Sequence, residues 1–488
     1  MTTGTVEQTH SEYNDRADEW AMVRDCIEGE KVVKAAGTKY LPKLAGQNDA
    51  EYRAYKLRAM FFNATGRTLE GLTGMLFRKP PRVEAPEALK DQFNDLTLDG
   101  LTLIGLCEYV ADEVLAVNRV GLLVDHPQTD GTPRTLVEAE REGLRPYICP
   151  YNAESILNWR YERVNNRMAL TFVALREIGQ ETVEVEQGEF KTENVKRVRI
   201  LRLVNRVYTQ EVWKQDEKGW ALEVDPFTPK MNGKTFDYIP FIFINDKDQT
   251  PNVRKPLLLS LAQVNVSDYR SSADLEHGRH FVGLPQPVIS GMESEDGNKL
   301  HIGGSHAWFL PDPDAKAYYM EFVGQGLQNL ENARKEKKEE MASLGARMLA
   351  PAKRAAETTE TTQIHHMAEV SVLASAAGSM SAGITKAVSI LAQWAWSTDD
   401  VAVELSRDYF PTPMSPQALQ ALVAAWQGGA IAFTDMVKNL QKGEIVAEDR
   451  NIDEMREEID SEAPAQVVDP EDEPDDNDEP EGTPNAGS

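Results

Sequence analysis

Between Pro256 and Trp396 the chain alternates helix-forming stretches with breakers in an order that few folds accommodate. Pro256 opens a helical pattern, LLLSLAQVNVSDYRSSADLEHGRHFVG, because a proline in a first turn sacrifices no hydrogen bond. The pattern stops at Gly283-Leu284-Pro285, and Pro287 prevents its resumption nearby. Several short strands are expected in the compact region from Val288 to Phe322. Helical periodicity returns at Leu327 and runs to Leu349, where Pro351 ends it. A polar loop follows, Lys353-Arg354-Ala355-Ala356-Glu357-Thr358-Thr359. From Thr361 to Trp396 there is no proline, and a helix of that length spans roughly 50 Å. Such a helix needs a large partner surface, which neighbouring copies in an oligomer would supply. Gly378 and Gly383 interrupt its Ala- and Ser-rich stripe, which points to close packing or a kink there. Two helices flanking a small β insert, then a loop and one long helix, suit a mechanical assembly part better than a catalytic pocket.

The flanking regions read as α+β. Glu51 to Phe77 is expected as one helix with Tyr55, Ala59, Phe62, Leu69, Leu72 and Leu76 on a broad face. Leu101 to Val117 is an amphipathic helix, and Gly121 to Asp125 a buried strand. From Pro146 to Asn245 short β segments (170–175, 182–185, 198–204, 207–212, 221–224 and 239–244) are separated by Asn165-Asn166, Gln187-Gly188 and Lys218-Gly219. That is the signature of an antiparallel meander. Asp246 to Arg254 reads as a polar linker. Beyond Asp400 a strand is expected over Val401–Tyr409, then helices from Ser415-Pro416 to Gln427, Thr434 to Gln441 and Asp449 to Ile459.

Charge narrows the function classes. The formal net charge is −27. Nine acidic residues and no Lys or Arg lie from Ala463 onward, so that tail is expected to be disordered, and the remainder stays acidic without it. Tight static binding of nucleic acid draws on Lys and Arg, so such a role is disfavoured. A channel through which a duplex slides is not. No apolar run approaches the roughly 18–20 residues of a membrane span, and the N-terminal residues lack the basic and apolar regions of a signal peptide. Cys26, Cys107 and Cys149 are odd in number and widely spaced, which reads as buried reduced thiols.

No catalytic signature emerges. The chain has no GxxxxGK[ST] loop, no HExxH and no GxSxG elbow. His277 and His280 lie three apart on a helix and read as interface or solvent residues, so no metal, cofactor or enzymatic role is expected. The aromatic group Trp308, Phe309, Tyr318 and Tyr319 in the β insert reads as its small core or an intersubunit contact. The charged run from Glu331 to Glu340 has two readings. One is a solvated face with i,i+4 pairs worth about 0.3–0.5 kcal/mol each; the other turns Lys335, Lys337 or Lys338 toward a DNA channel.

Asp268-Tyr269-Arg270-Ser271-Ser272-Ala273-Asp274-Leu275-Glu276-His277 and Phe281-Val282-Gly283-Leu284-Pro285-Gln286-Pro287 resemble the portal proteins of tailed bacteriophages. More narrowly, they resemble a phage family long catalogued as a domain of unknown function. The likeness extends to Ala307-Trp308-Phe309-Leu310-Pro311-Asp312-Pro313-Asp314-Ala315-Lys316, to Met341-Ala342-Ser343-Leu344-Gly345-Ala346-Arg347-Met348-Leu349 and to Glu360-Thr361-Thr362-Gln363-Ile364. The resemblance spans about Glu51 to Gln441.

It implies an α+β portal fold in a ring of about twelve copies around an axial channel. After a flexible start (1–10), residues 11–255 would form the wing. Residues 256–282 would be the first stem helix, 283–324 the clip, 325–349 the second stem helix and 350–360 the tunnel loop. Residues 361–398 would be the long wing helix, 399–462 the crown and 463–488 the acidic tail. Lys353, Arg354 and Glu357 would face double-stranded DNA. Implied partners are the major capsid protein and scaffold, the terminase large subunit, and then head-completion and tail adaptor proteins. The site of action would be the portal vertex of the virion, after synthesis in the bacterial host cytoplasm. The alternative is a head–tail adaptor or other virion ring protein without the portal role.

Overall fold

The computed structural model describes residues 5–128, 138, 141–182, 192–283, 286–290, 314, 316–320, 324–346, 359–396, 398, 400–407, 409, 414, 416–443, 445–447 and 450–462. The fold is mixed helix and sheet, and the chain divides into two units, 1–409 and 410–488.

The first unit opens with helices α1 (Ser11–Glu28), α2 (Glu30–Ala35), α3 (Asp49–Arg58) and α4 (Ala64–Leu76). Trp20, Val23 and Cys26 bury one face of α1. Asn48 and Glu51 form a capping box that starts α3. The single helix expected over Glu51–Phe77 is therefore two. Between them the Met60 amide donates to Ser272 Oγ at 3.1 Å, and Asn63 restarts the helix by accepting from the Gly66 amide. Distant Ser272 and Asn265, which bonds Phe62 O and the Thr65 amide, thus take backbone groups that a continuous helix would use. Short β1 (Arg82–Glu84) and α5 (Glu87–Lys90) lead to α6 (Leu103–Val117), capped by Thr102 and closed by left-handed Asn118.

Strand β2 (Val120–Asp125) is buried throughout and pairs with β3 (Tyr147–Asn152). The meander that follows is β4 (Ile156–Val164), β5 (Arg167–Thr182), β6 (Thr192–Val204), β7 (Val207–Asp216) and β8 (Gly219–Phe227), in sheet order 4-5-6-7-8. The Asn165-Asn166 turn has φ 47° and 59°, as its chemistry predicts. An equivalent turn at Asn205-Arg206, φ 51° and 63°, carries no glycine to announce it. The segments expected at 170–175 and 182–185 are not separate: β5 runs unbroken to Thr182. The Gln187-Gly188 turn lies outside the described residues. After the small pair β9 (Lys230–Met231) and β10 (Lys234–Thr235), strand β11 (Phe241–Ile244) completes a three-stranded sheet beside β2.

Next come α7 (Leu259–Val282), the antiparallel pair β12 (Gln286–Ser290) and β13 (Lys316–Met320), and α8 (Gln325–Met341). The periodicity predicts helix to Leu349; at Met341 α8 passes directly into a kinked π-helical turn over Ala342–Ala346, and residues 347–349 lie outside the described residues. Gly345 there adopts φ 131°, a conformation open to glycine and to few other residues. Helix α9 (Thr359–Trp396) is 38 residues long, about 57 Å. From Val372 onward its partner surface comes from its own chain. Leu373, Ala376, Ala377, Met380, Ile384, Val388 and Leu391 are buried in the main core. A Cβ at Gly383 would lie 2.6 Å from Ile244, so the glycine marks close packing of helix on sheet.

The strand expected over Val401–Tyr409 is confined to β14 (Ala402–Glu404), which pairs with β1. Thr385 Oγ1 bonds both backbone groups of Val403, and Ser381 Oγ accepts from the Leu405 amide. The side chains of α9 thus occupy the backbone beside this strand. The second unit contains α10 (Pro416–Gln427), α11 (Phe433–Lys442) and α12 (Ile452–Glu462) around Met436, Val437 and Met455.

Candidate functional site

Helices α7 and α8 run antiparallel, with their register set by unlike contacts at successive levels. A Cβ at Gly278 would lie 2.6 Å from Leu327 Cδ2, so the backbone of α7 accepts a leucine here. Arg279 Nη2 donates to Glu331 Oε1 at 2.6 Å. Deeper in, Arg334 forks onto Asp268 with bonds of 3.0 and 3.2 Å. Asp268 is fully buried and the Arg334 side chain is 14% exposed. Lys337 Nζ donates to Ser267 O at 3.1 Å and to Ser271 Oγ at 2.6 Å.

The three lysines of α8 singled out by sequence therefore have different environments. Lys337 is spent on the contact with α7. Lys335 is largely exposed, 4.0 Å from Glu339. Lys338 is exposed and lies over the Phe62 ring at 5.2 Å. In the hairpin, Tyr318 stands opposite Val288 and is 53% exposed, and Tyr319 stands opposite Pro287. Trp308, Phe309, Lys353, Arg354 and Glu357 lie outside the described residues.

Ser260, Gln263, Val264 and Ser267 of α7, with Lys337, Glu340 and Leu344, line an open groove of about 330 Å³. Val264 and Leu344 are the apolar part of its lining, and the rest carry hydroxyl, amide or charged groups. His277 packs edge-on against Tyr55 and Phe281. Burial, followed by the positive charge of Arg58 and His280, lowers its pKa. His280 Nε2 lies 3.0 Å from Arg58 Nη2. Both histidines thus belong to the α3–α7 contact, and among the described residues no group of three or more His, Cys, Asp or Glu could hold a metal. Cys26 and Cys107 are buried and Cys149 partly so, and burial pushes all three thiols up to about 12. No described helix is long and apolar enough to cross a membrane.

Sequence reasoning did not single out Asp268 and Arg334 as a pair. The available signal was an aspartate on the most buried stripe of α7, where an ionised side chain requires a partner. It also passed over Arg24, which forks onto Glu113 and onto Glu154 with bonds of 2.5 to 3.0 Å and ties α1 to α6 and to the start of the meander.

A family model described as a domain of unknown function (DUF4055) matches residues 256–395, the span from the entry of α7 nearly to the end of α9. No curated protein matches. Among solved structures, the chain is similar to one in the virion of a native gene transfer agent (GTA) particle. Identity there is 9%, coverage is 82% of this chain and 94% of that one, and the TM-score is 0.39. It is also similar to a chain in the neck of an empty GTA particle computed with C6 symmetry (11% identity, 82% and 93% covered, TM-score 0.37). A third likeness is to the neck of the native GTA particle computed with C12 symmetry (10%, 77% and 89%, TM-score 0.38).

Proposed function

We propose that the protein is the portal of a tailed phage or phage-like particle. It would form a ring at one capsid vertex, a channel for double-stranded DNA during packaging and ejection, and a platform for terminase and later for head-completion and tail proteins. The observation that carries this reading is the antiparallel pair α7–α8 with the hairpin strands β12 and β13 between its two helices in sequence, followed by α9. That is the order which the residue-level resemblance assigns to stem, clip and long wing helix. Further support comes from the acidic balance, since walls with few free cations let a polyanion slide. On this reading a head-to-tail contact between unlike surfaces of successive copies closes the ring. Capsid protein and scaffold would surround it, and the protein would act without a cofactor or catalytic centre of its own.

Native mass spectrometry with negative-stain imaging of the purified protein tests the proposal. Closed rings of about twelve subunits with an axial hole are expected; a stable compact dimer or tetramer would overturn it. Packaging assays separate a portal from a head–tail adaptor, because only a portal is needed before DNA enters. Within this reading Lys353 and Arg354 make transient phosphate contacts. The double change Lys353→Ala, Arg354→Ala should impair packaging or genome retention while rings still assemble, and unaltered packaging and retention would remove that role.

A further inference from the structure

Asp246 to Arg254 reads in sequence as a linker, yet from Asn245 to Lys255 the loop is held by a dense set of hydrogen bonds. Asn245 Oδ1 accepts from the amides of Lys247 and Asp248, each at 2.9 Å. Asp248 Oδ1 accepts from Asn245 Nδ2 (2.8 Å), the Thr250 amide (2.9 Å) and Thr250 Oγ1 (2.6 Å). Its other oxygen accepts from Arg254 Nη2 at 2.9 Å. Burial pushes the Asp248 carboxyl up, but the bonds from Thr250, Asn245 and Arg254 outweigh it and hold the group below the usual carboxylate range.

Several elements converge on this knot. At the α6–β2 corner, Asn118 Oδ1 accepts from the Asp246 amide at 2.8 Å and Asn118 Nδ2 donates to Lys255 O at 3.1 Å. Arg119, buried over the rings of Trp159 and Phe243, donates to Pro251 O at 2.7 Å. From the middle of α9, Ser375 Oγ donates to Asp246 O and Ser379 Oγ to Asp248 O, at 3.3 and 3.2 Å. Gln249 Nε2 answers with a bond to Ser379 O at 3.0 Å. On α1, Glu12 Oε2 accepts from the Val253 amide. The chain then enters α7 within a few residues.

We propose that residues 245–255 are a rigid joint that makes the entry of α7, the middle of α9 and the α6–β2 corner open and close as one cooperative unit, with Asp248 as its positioning residue. Native proteins open in such contiguous units. What defines this one is that a single carboxylate organises the loop that every other partner grips. All the contacts lie within one chain, so the inference stands whether or not the protein forms a ring.

Ser379 separates coupling from local support, because its side-chain hydrogen bonds go to the loop, to Asp248 O and Gln249. Hydrogen exchange by mass spectrometry on the full chain compares wild type, Ser379→Ala and Asp248→Ala. Losing one such bond should speed exchange about five-fold in the opening unit. In Ser379→Ala the acceleration should therefore appear at residues 259–266 of α7 as well as at 245–255. The meander at 156–182 and 192–227 should keep its wild-type rates. Asp248→Ala should produce the same pattern, larger. Acceleration confined to the loop and the adjoining turn of α9, no acceleration, or acceleration spread over the meander would each overturn the proposal. If Asp248→Ala does not fold, the Ser379→Ala result decides.

Discussion

The Asp268–Arg334 pair gives an asymmetry that can be measured. Asp268 has no exposed surface, and both of its recorded side-chain bonds come from Arg334. Changing Arg334 to Met keeps much of the packing but strands a carboxylate between two helices. Breaking a buried pair from that side costs about 3–5 kcal/mol. In Asp268→Ala the guanidinium, already partly exposed, can swing into water, and the loss is nearer to about 1–3 kcal/mol. Asp268→Leu together with Arg334→Met removes both charges, and should recover most of the loss in the Arg334 single variant. Urea titration followed by tryptophan fluorescence reads the right part of the molecule, because seven of the eight tryptophans lie in the first unit. The reasoning fails if the two single variants cost the same, if Asp268→Ala costs more, or if the double variant is no more stable than Arg334→Met alone.

Two glycines of α9 should respond with opposite signs. Gly383→Ala would place a methyl 2.6 Å from buried Ile244 and cost about 1–3 kcal/mol. At Gly378 the new methyl would meet the mobile tip of Arg407 at 3.1 Å, so a gain of up to about 1 kcal/mol in helix propensity should dominate. Thermal melting of both variants checks this. His277 predicts a pH effect. Its folded pKa lies below the ordinary value of 6.5, so the unfolded chain takes up the proton first. The stability this group contributes is complete above that value and is lost as pH falls from it toward the folded pKa. His277→Phe should flatten the fall in stability between neutral and mildly acidic pH. An unchanged slope would show that the acid sensitivity lies elsewhere.

The elements that sequence reasoning placed correctly rest on local chemistry. Side chains at helical spacing predicted α6 and α9. Pro416 marked the start of α10, and Asn165-Asn166 specified a hairpin through a backbone conformation that asparagine tolerates. Gly383 announced a close approach, though not the strand that makes it. The candidate site was legible as an order of elements, helix, insert and helix, but not as an arrangement of charges. Lys335, Lys337 and Lys338 are near neighbours in one charged run, and rotation about the helix axis gives each a different environment.

The parts that stayed hidden depend on groups far apart in the chain. The break between α3 and α4 needs Ser272, 212 positions from Met60, to take an amide from what reads as continuous helix. Strand β14 stops at Glu404, where a serine of α9, 24 positions away in the chain, takes the Leu405 amide. The polar residues from Asp246 to Arg254 look like a solvated tether until Asn118, Arg119, Ser375 and Ser379 arrive to bond them. Periodicity, capping and turn preference act over a few residues, so they are written where they act. Which buried polar group finds which partner is settled when the chain closes on itself, because burial is what makes an unmet hydrogen bond costly and its partner decisive.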